Sequence, residues 1–182
     1  MPVESGDRWV FGYGSLMWDP GFAHVERHPA LLHGWHRAFS LSSSESWGSA
    51  ERPGLVLSLH PGGSCRGAAL RVSARDWDEA QDYLRQRERA YRHIEVSVRL
   101  PHATVSALTF AGDPAHPRFV GKLPAAEAAR LIVQGVGRKG SSLGYLQGTA
   151  RSVAEMGYRP ERLLRELLQA VSDHSAATAG ES

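Results

Sequence analysis

Residues 55–72 read LVLSLHPGGSCRGAALRV. Two apolar runs, Leu55 to Leu59 and Cys65 to Val72, flank Pro61-Gly62-Gly63. A glycine pair supplies the positive φ angles that a tight turn between strands needs. The stretch therefore predicts two strands paired as a hairpin. Upstream, Arg8 to Tyr13 reads as a first strand and Trp18 to Ala30 as loop, with a turn at Asp19-Pro20-Gly21. Ala30 to Leu41 reads as a strand whose bulky members include Trp35 and Phe39. Ser42 to Pro53 is a long polar loop, of a length that in compact domains is usually functional or mobile.

Downstream, Ser73 reads as the cap of a helix from Ala74 to about Arg89, with Asp78 and Glu79 in the first turns where the dipole favours acid. Val96 to Leu100 and Val105 to Phe110 are two further strands. The chain is irregular to Leu123, and Pro124 then opens a helix to about Gly135. Gly135 to Gly140 is a glycine-rich loop, followed by a helix from about Ser142 to Met156. Pro160 opens the last helix, where Leu163, Leu164, Leu167, Leu168 and Val171 mark an apolar face. Strands first, a helix, more strands and a helical C-terminal third do not form a regular βαβ series. They predict an α+β fold, a small mixed β-barrel flanked by helices. One domain is expected over residues 1–174, and a disordered tail over 175–182.

Composition narrows the function classes. At 182 residues the chain is long enough to bury a core. Its formal net charge is +2 and its basic residues are scattered, which argues against nucleic acid. No apolar run approaches the ~20 residues of a membrane span, and the polar start MPVESGDRW reads as having no signal segment. A single cysteine, Cys65, allows no internal disulfide and suits a cytoplasmic location. It reads as a small strand residue rather than a nucleophile.

Few motifs in the chain could carry chemistry. His28, His33 and His36 stand without HExxH or paired cysteines, and strand alternation separates His33 from His36, so no metal site is expected. Lys139-Gly140-Ser141 has the wrong order for a phosphate loop. Gly14-Ser15-Leu16 is not a nucleophile elbow. Two features remain. Gly12-Tyr13-Gly14-Ser15-Leu16 follows the first strand, and its glycines serve either a tight turn or a ligand that must reach the main chain. In AQDYLRQRERAY, residues 80–91, Tyr83, Arg87 and Tyr91 are spaced to share one helix face, with Leu84 and Glu88 on the stripe beside it. Glu88 is then either a carboxylate made more basic by apolar neighbours and the helix C-terminus, or one solvated among Arg85, Arg87, Arg89 and Arg92.

These segments resemble the ChaC-like γ-glutamylcyclotransferases, which act on glutathione. The resemblance rests on VFGYGSLMWDPGF, HGWHRAFSL, ERPGLVLSLHPGGSCRGAALRV, DYLRQRE, HPRFVGKLP and GRKGSSLGYL. The pair YGSL and YLxxRE is its most specific part. It implies a small barrel with flanking helices and an activity: the substrate's α-amine attacks its own γ-carbonyl, releasing 5-oxoproline and cysteinylglycine. It implies Glu88 as the catalytic acid/base, and Tyr13, Gly14, Ser15, Leu16, Arg52, Tyr91 and Tyr145 as substrate-binding residues. The partner it implies is glutathione or another γ-glutamyl compound; no cofactor is expected, and the chain is expected to be a cytoplasmic monomer. A non-catalytic regulator linked to cation transport is the alternative of a different class. The chain departs from the family pattern at Arg89-Ala90, which leads directly to Tyr91, at Ser141-Ser142 and at Gly144.

Overall fold

A computed structural model describes residues 6–180. Five strands close a barrel: β1 (Arg8–Gly12), β2 (Glu26–Ser43), β3 (Gly54–Val72), β4 (Arg92–Arg99) and β5 (Thr104–Ala111). Their order around it is β1-β3-β2-β4-β5. β1 lies antiparallel to β3, with Arg8 opposite Val72 and Gly12 opposite Ala68. It meets β5 in parallel at Val10 opposite Leu108. β4 and β5 form a continuous antiparallel hairpin from Arg92 opposite Ala111 to Arg99 opposite Thr104. The expected mixed barrel is present.

Residues 55–72 are not a hairpin. They belong to one strand of 19 residues. Gly62 and Gly63 do take positive φ, +97° and +72°, as hairpin glycines would. Here they make an exposed irregularity within β3, and the chain does not reverse. The reason lies in the partner strands. β2 is 18 residues long and neighbours β3. A local hairpin would leave much of that strand's main chain without a ladder, and unpaired main-chain groups are costly.

Contacts gather the described chain into two compact units. One combines the residues up to Arg37 with Leu59–Asp113, the other Ala38–Ser58 with those from Pro114 onward. In the first, Val10, Phe11, Leu32, Leu70, Val98 and Phe110 are buried with Leu84 of α1 (Trp77–Arg87). This helix is shorter at both ends than expected. Ser73 heads a turn instead of the helix: the Asp76 N–H donates to its carbonyl at 3.1 Å, and its Oγ donates to the Asp76 carboxylate at 2.6 Å.

The second unit holds α2 (Ala125–Gln134), α3 (Ser142–Glu155) and α4 (Arg162–Ala179). Pro124 is the residue before α2 rather than its first. The expected loop at 135–140 contains a small ribbon, β6 (Val136–Gly137) paired with β7 (Gly140–Ser141). Leu164, Leu167 and Val171 of α4 are buried, whereas Leu163 and Leu168 are half-buried. Residues 175–179, expected as a disordered tail, are the last part of α4. Ala176, Ala177 and Ala179 are strong helix formers, and Gly180 ends the run. Residues 1–5 and 181–182, which include most of the polar start and the tip of the tail, lie outside the described residues.

In the first unit Arg71 of β3 is buried and forked between the carboxylates of Asp7 and Glu26. The hydrogen bond from Arg71, and next that with His28, lowers the Glu26 pKa from 4.5 to about 2. A lowered folded-state pKa stabilises above the unfolded value and is lost as pH falls towards the folded one. Wild-type protein should therefore exceed Glu26→Gln in unfolding free energy most at neutral pH. The gap should close between about pH 4.5 and 2. A gap independent of pH in urea titrations would refute this.

Candidate active site

β1 delivers the chain through Tyr13 and Gly14 into a single 3₁₀ turn, Ser15–Met17. The N–H of Met17 donates to the Gly14 carbonyl at 2.9 Å. Those of Trp18 and Asp19 donate to the Ser15 carbonyl at 3.1 and 2.8 Å. The N–H groups of Gly14, Ser15 and Leu16 precede these bonds. Among the described residues they have no main-chain acceptor, the usual state of the first donors of a helical turn. Gly14 and Leu16 are buried. The Tyr13 hydroxyl points away from the turn, donating to the Phe110 carbonyl of β5 at 2.5 Å. That bond fastens the end of β1 to β5.

α1 ends at Arg87, and Glu88 is its C-cap, with φ −104° and ψ 31°. Of the two environments open to Glu88 from its sequence, the structure takes a part of each. Its side chain is only 12% exposed, and Arg87 faces it: Arg87 Nε lies 3.2 Å from Glu88 Oε1. The rest of that guanidinium reaches the glycine turn. Arg87 Nη2 donates to Ser15 Oγ at 3.0 Å, and Nη1 lies 2.7 Å from the Asp19 carbonyl and 3.0 Å from that of Pro20. Ser15 thus receives a hydrogen bond from a cation, the opposite of what activates a serine nucleophile.

Tyr91 does not share the helical face of Tyr83 and Arg87, because the helix has already stopped. It closes a tight turn, its N–H donating to the Glu88 carbonyl at 3.1 Å. The other two expected site residues belong to the second unit. Arg52 is exposed in the loop between β2 and β3, where its carbonyl accepts from the Ser49 N–H. Tyr145 on α3 is 4% exposed, edge-on to Phe39 and Trp47 at 6.0 and 5.2 Å between ring centres. Ser142, one of the departures from the family pattern, is wholly buried; its Oγ accepts from the Leu55 N–H and donates to the Leu55 carbonyl. Cys65 is buried in β3, as expected of a strand residue.

The residue missed by the sequence reading is Arg87. Its signal was its position directly before the glutamate of YLxxRE, together with the four-residue spacing to Tyr83.

Comparison with known proteins defines the class. A yeast γ-glutamylcyclotransferase specific to glutathione superposes with a TM-score of 0.88 at 23% identity, over 93% of this chain and 97% of that one. The fold is thus that of the γ-glutamylcyclotransferases. The ChaC-like protein family matches residues 8–174, and the chain belongs to it. The glutathione-specific γ-glutamylcyclotransferase of Escherichia coli (strain K12) is 33% identical over 164 residues, covering 88% of this chain and 71% of that protein. Glutathione-specific γ-glutamylcyclotransferase 1 of Rattus norvegicus is 33% identical over 155 residues, 79% of this chain and 69% of that protein.

Proposed function

We propose that this chain is a γ-glutamylcyclotransferase that converts glutathione to 5-oxoproline and cysteinylglycine. The substrate's α-amine attacks its γ-carbonyl carbon. A C–N bond forms in the five-membered ring and the C–N bond to cysteine breaks. No protein nucleophile is needed, because the substrate supplies one, and the gain comes from holding amine and carbonyl together. The N–H groups of Gly14, Ser15 and Leu16 receive anionic oxygen, either the α-carboxylate or the oxygen that gains charge during attack. Glu88 takes the two protons that the α-ammonium nitrogen must lose as it becomes the ring amide, one before attack and one after, and passes them to the departing amine. Tyr13 and Tyr91 border these groups, while Arg52 and Tyr145 are assigned to substrate binding by the motif match.

The observation that carries this reading is a half-buried glutamate tied through one guanidinium to a turn with three available main-chain donors. A cytoplasmic setting agrees with the single, buried cysteine. The discriminating experiment measures 5-oxoproline from glutathione, γ-glutamylalanine and a γ-glutamylamine in parallel. Glutathione should be turned over fastest, with cysteinylglycine formed one for one. A faster γ-glutamylamine would move the leaving group, and no release from any of the three would favour a regulatory protein.

A further inference from the structure

Arg87 and Glu88 are neighbours in sequence, and neighbours on a helix point about 100° apart and do not meet. They meet here because the helix stops between them. Glu88 has left helical φ/ψ, and its carboxylate folds back to Arg87 Nε at 3.2 Å. The Arg87 side chain is itself only 10% exposed, and all three guanidinium nitrogens are engaged. Besides Glu88 it reaches Ser15 Oγ, the carbonyls of Asp19 and Pro20, and the Tyr83 hydroxyl at 3.1 Å. The site is built to admit this arrangement. Gly21 sits at φ +75°, and a Cβ there would lie 2.1 Å from the Tyr83 hydroxyl.

We propose that Arg87 is a positioning residue for the cyclisation: one planar fork fixes the Glu88 carboxylate and the main-chain turn at 15–20 in a single register. This rests on the assignment of Glu88 as the acid/base. Nε orients the carboxylate, while the two terminal nitrogens hold the segment that carries the donors. A proton acceptor and an anion site that must serve one small substrate then cannot drift relative to each other. Lysine offers a point charge on a flexible stem and cannot make these bonds in three directions.

The test uses the full chain with Arg87→Gln, Arg87→Lys, Glu88→Gln and the double variant Arg87→Gln/Glu88→Gln. Melting temperature and circular dichroism establish the folded fraction, and kcat and KM for 5-oxoproline release are taken per folded molecule. Arg87→Gln should lose about 10²-fold in kcat, the scale of a catalytic group misplaced by an ångström. KM should change by less than about fivefold, because substrate donors remain. Arg87→Lys should recover only a small part of kcat, and should Arg87→Gln not fold, this variant carries the same comparison. The double variant should be slower than Glu88→Gln alone by far less than the loss that Arg87→Gln causes by itself, since most of that loss runs through the carboxylate. An Arg87→Gln or Arg87→Lys enzyme within about twofold of wild-type kcat, beside a slow Glu88→Gln, overturns the positioning role and leaves the cyclotransferase reading intact. Independent, multiplicative losses in the double variant overturn it too. Wild-type turnover by Glu88→Gln alone would remove the acid/base assignment itself, a failure visible without any Arg87 variant.

Discussion

Glu88→Gln should fold like the wild type and lose turnover by on the order of 10²-fold or more, the contribution of a positioned general acid/base. The amide keeps the size of the carboxylate and an oxygen that can accept from Arg87 Nε, so the C-cap turn has no reason to open. What it loses is the capacity to take protons from the substrate ammonium and pass them to the leaving amine. The readout is 5-oxoproline release per folded molecule, with circular dichroism and thermal melting as controls. Near-wild-type release would sink the assignment. Glu45, Glu51, Asp82 and Glu95 would then be the next carboxylates to replace. Glu45, Asp82 and Glu95 already have partners on the surface, Arg138, Arg85 and Ser106.

The second large effect is an asymmetry between adjacent residues. Gly14→Ala should be nearly inactive while remaining folded. Ser15→Ala should stay within about tenfold of wild type, because one side-chain hydrogen bond is worth about 1 kcal/mol. The proposed donors are main-chain N–H groups, and a methyl group at Gly14 stands among them. The Ser15 hydroxyl, by contrast, is spent on Arg87 Nη2. Removing it leaves the guanidinium with Glu88, the two carbonyls of the turn and Tyr83. Leu16→Ala should act mainly on stability, since that side chain is buried. The reverse order, with Ser15→Ala dead and Gly14→Ala active, would mean a serine nucleophile, and a trapped glutamyl adduct found by mass spectrometry would establish it.

The legible part of the candidate site was its main-chain half and its carboxylate. Two glycines flanking Tyr13 after an apolar strand announce a turn with special backbone needs, and YLxxRE places a glutamate where a helix ends. The carboxylate's surroundings were not legible. Arginine at 85, 87, 89 and 92 crowds Glu88 in sequence, and spacing cannot say which of them turns inward. The structure selects Arg87, because the chain leaves the helix at Glu88 and so brings two successive side chains together. Tyr91 shows the same dependence from the other side. Its spacing from Arg87 is helical, but the helix is gone by then.

By itself the sequence determined what is local: apolar alternation and periodicity, prolines ahead of the helices over 125–134 and 162–179, acids in the first turn of α1, and the motif pair that identifies the family. These depend on a residue and its near neighbours along the chain. The tertiary structure alone decided whether Gly62-Gly63 turns the chain or merely disturbs a strand, because positive φ satisfies either outcome. Only the ladder with the long neighbouring strand β2 makes the continuous strand the cheaper one. It likewise decided that residues 175–179 continue a helix whose buried face lies at Leu164, Leu167 and Val171, and that one guanidinium joins β1's turn to α1's end. Strand pairing and side-chain partnership are set between segments far apart in the chain. Their free energy comes from burying and hydrogen-bonding both partners at once, and no single segment contains it.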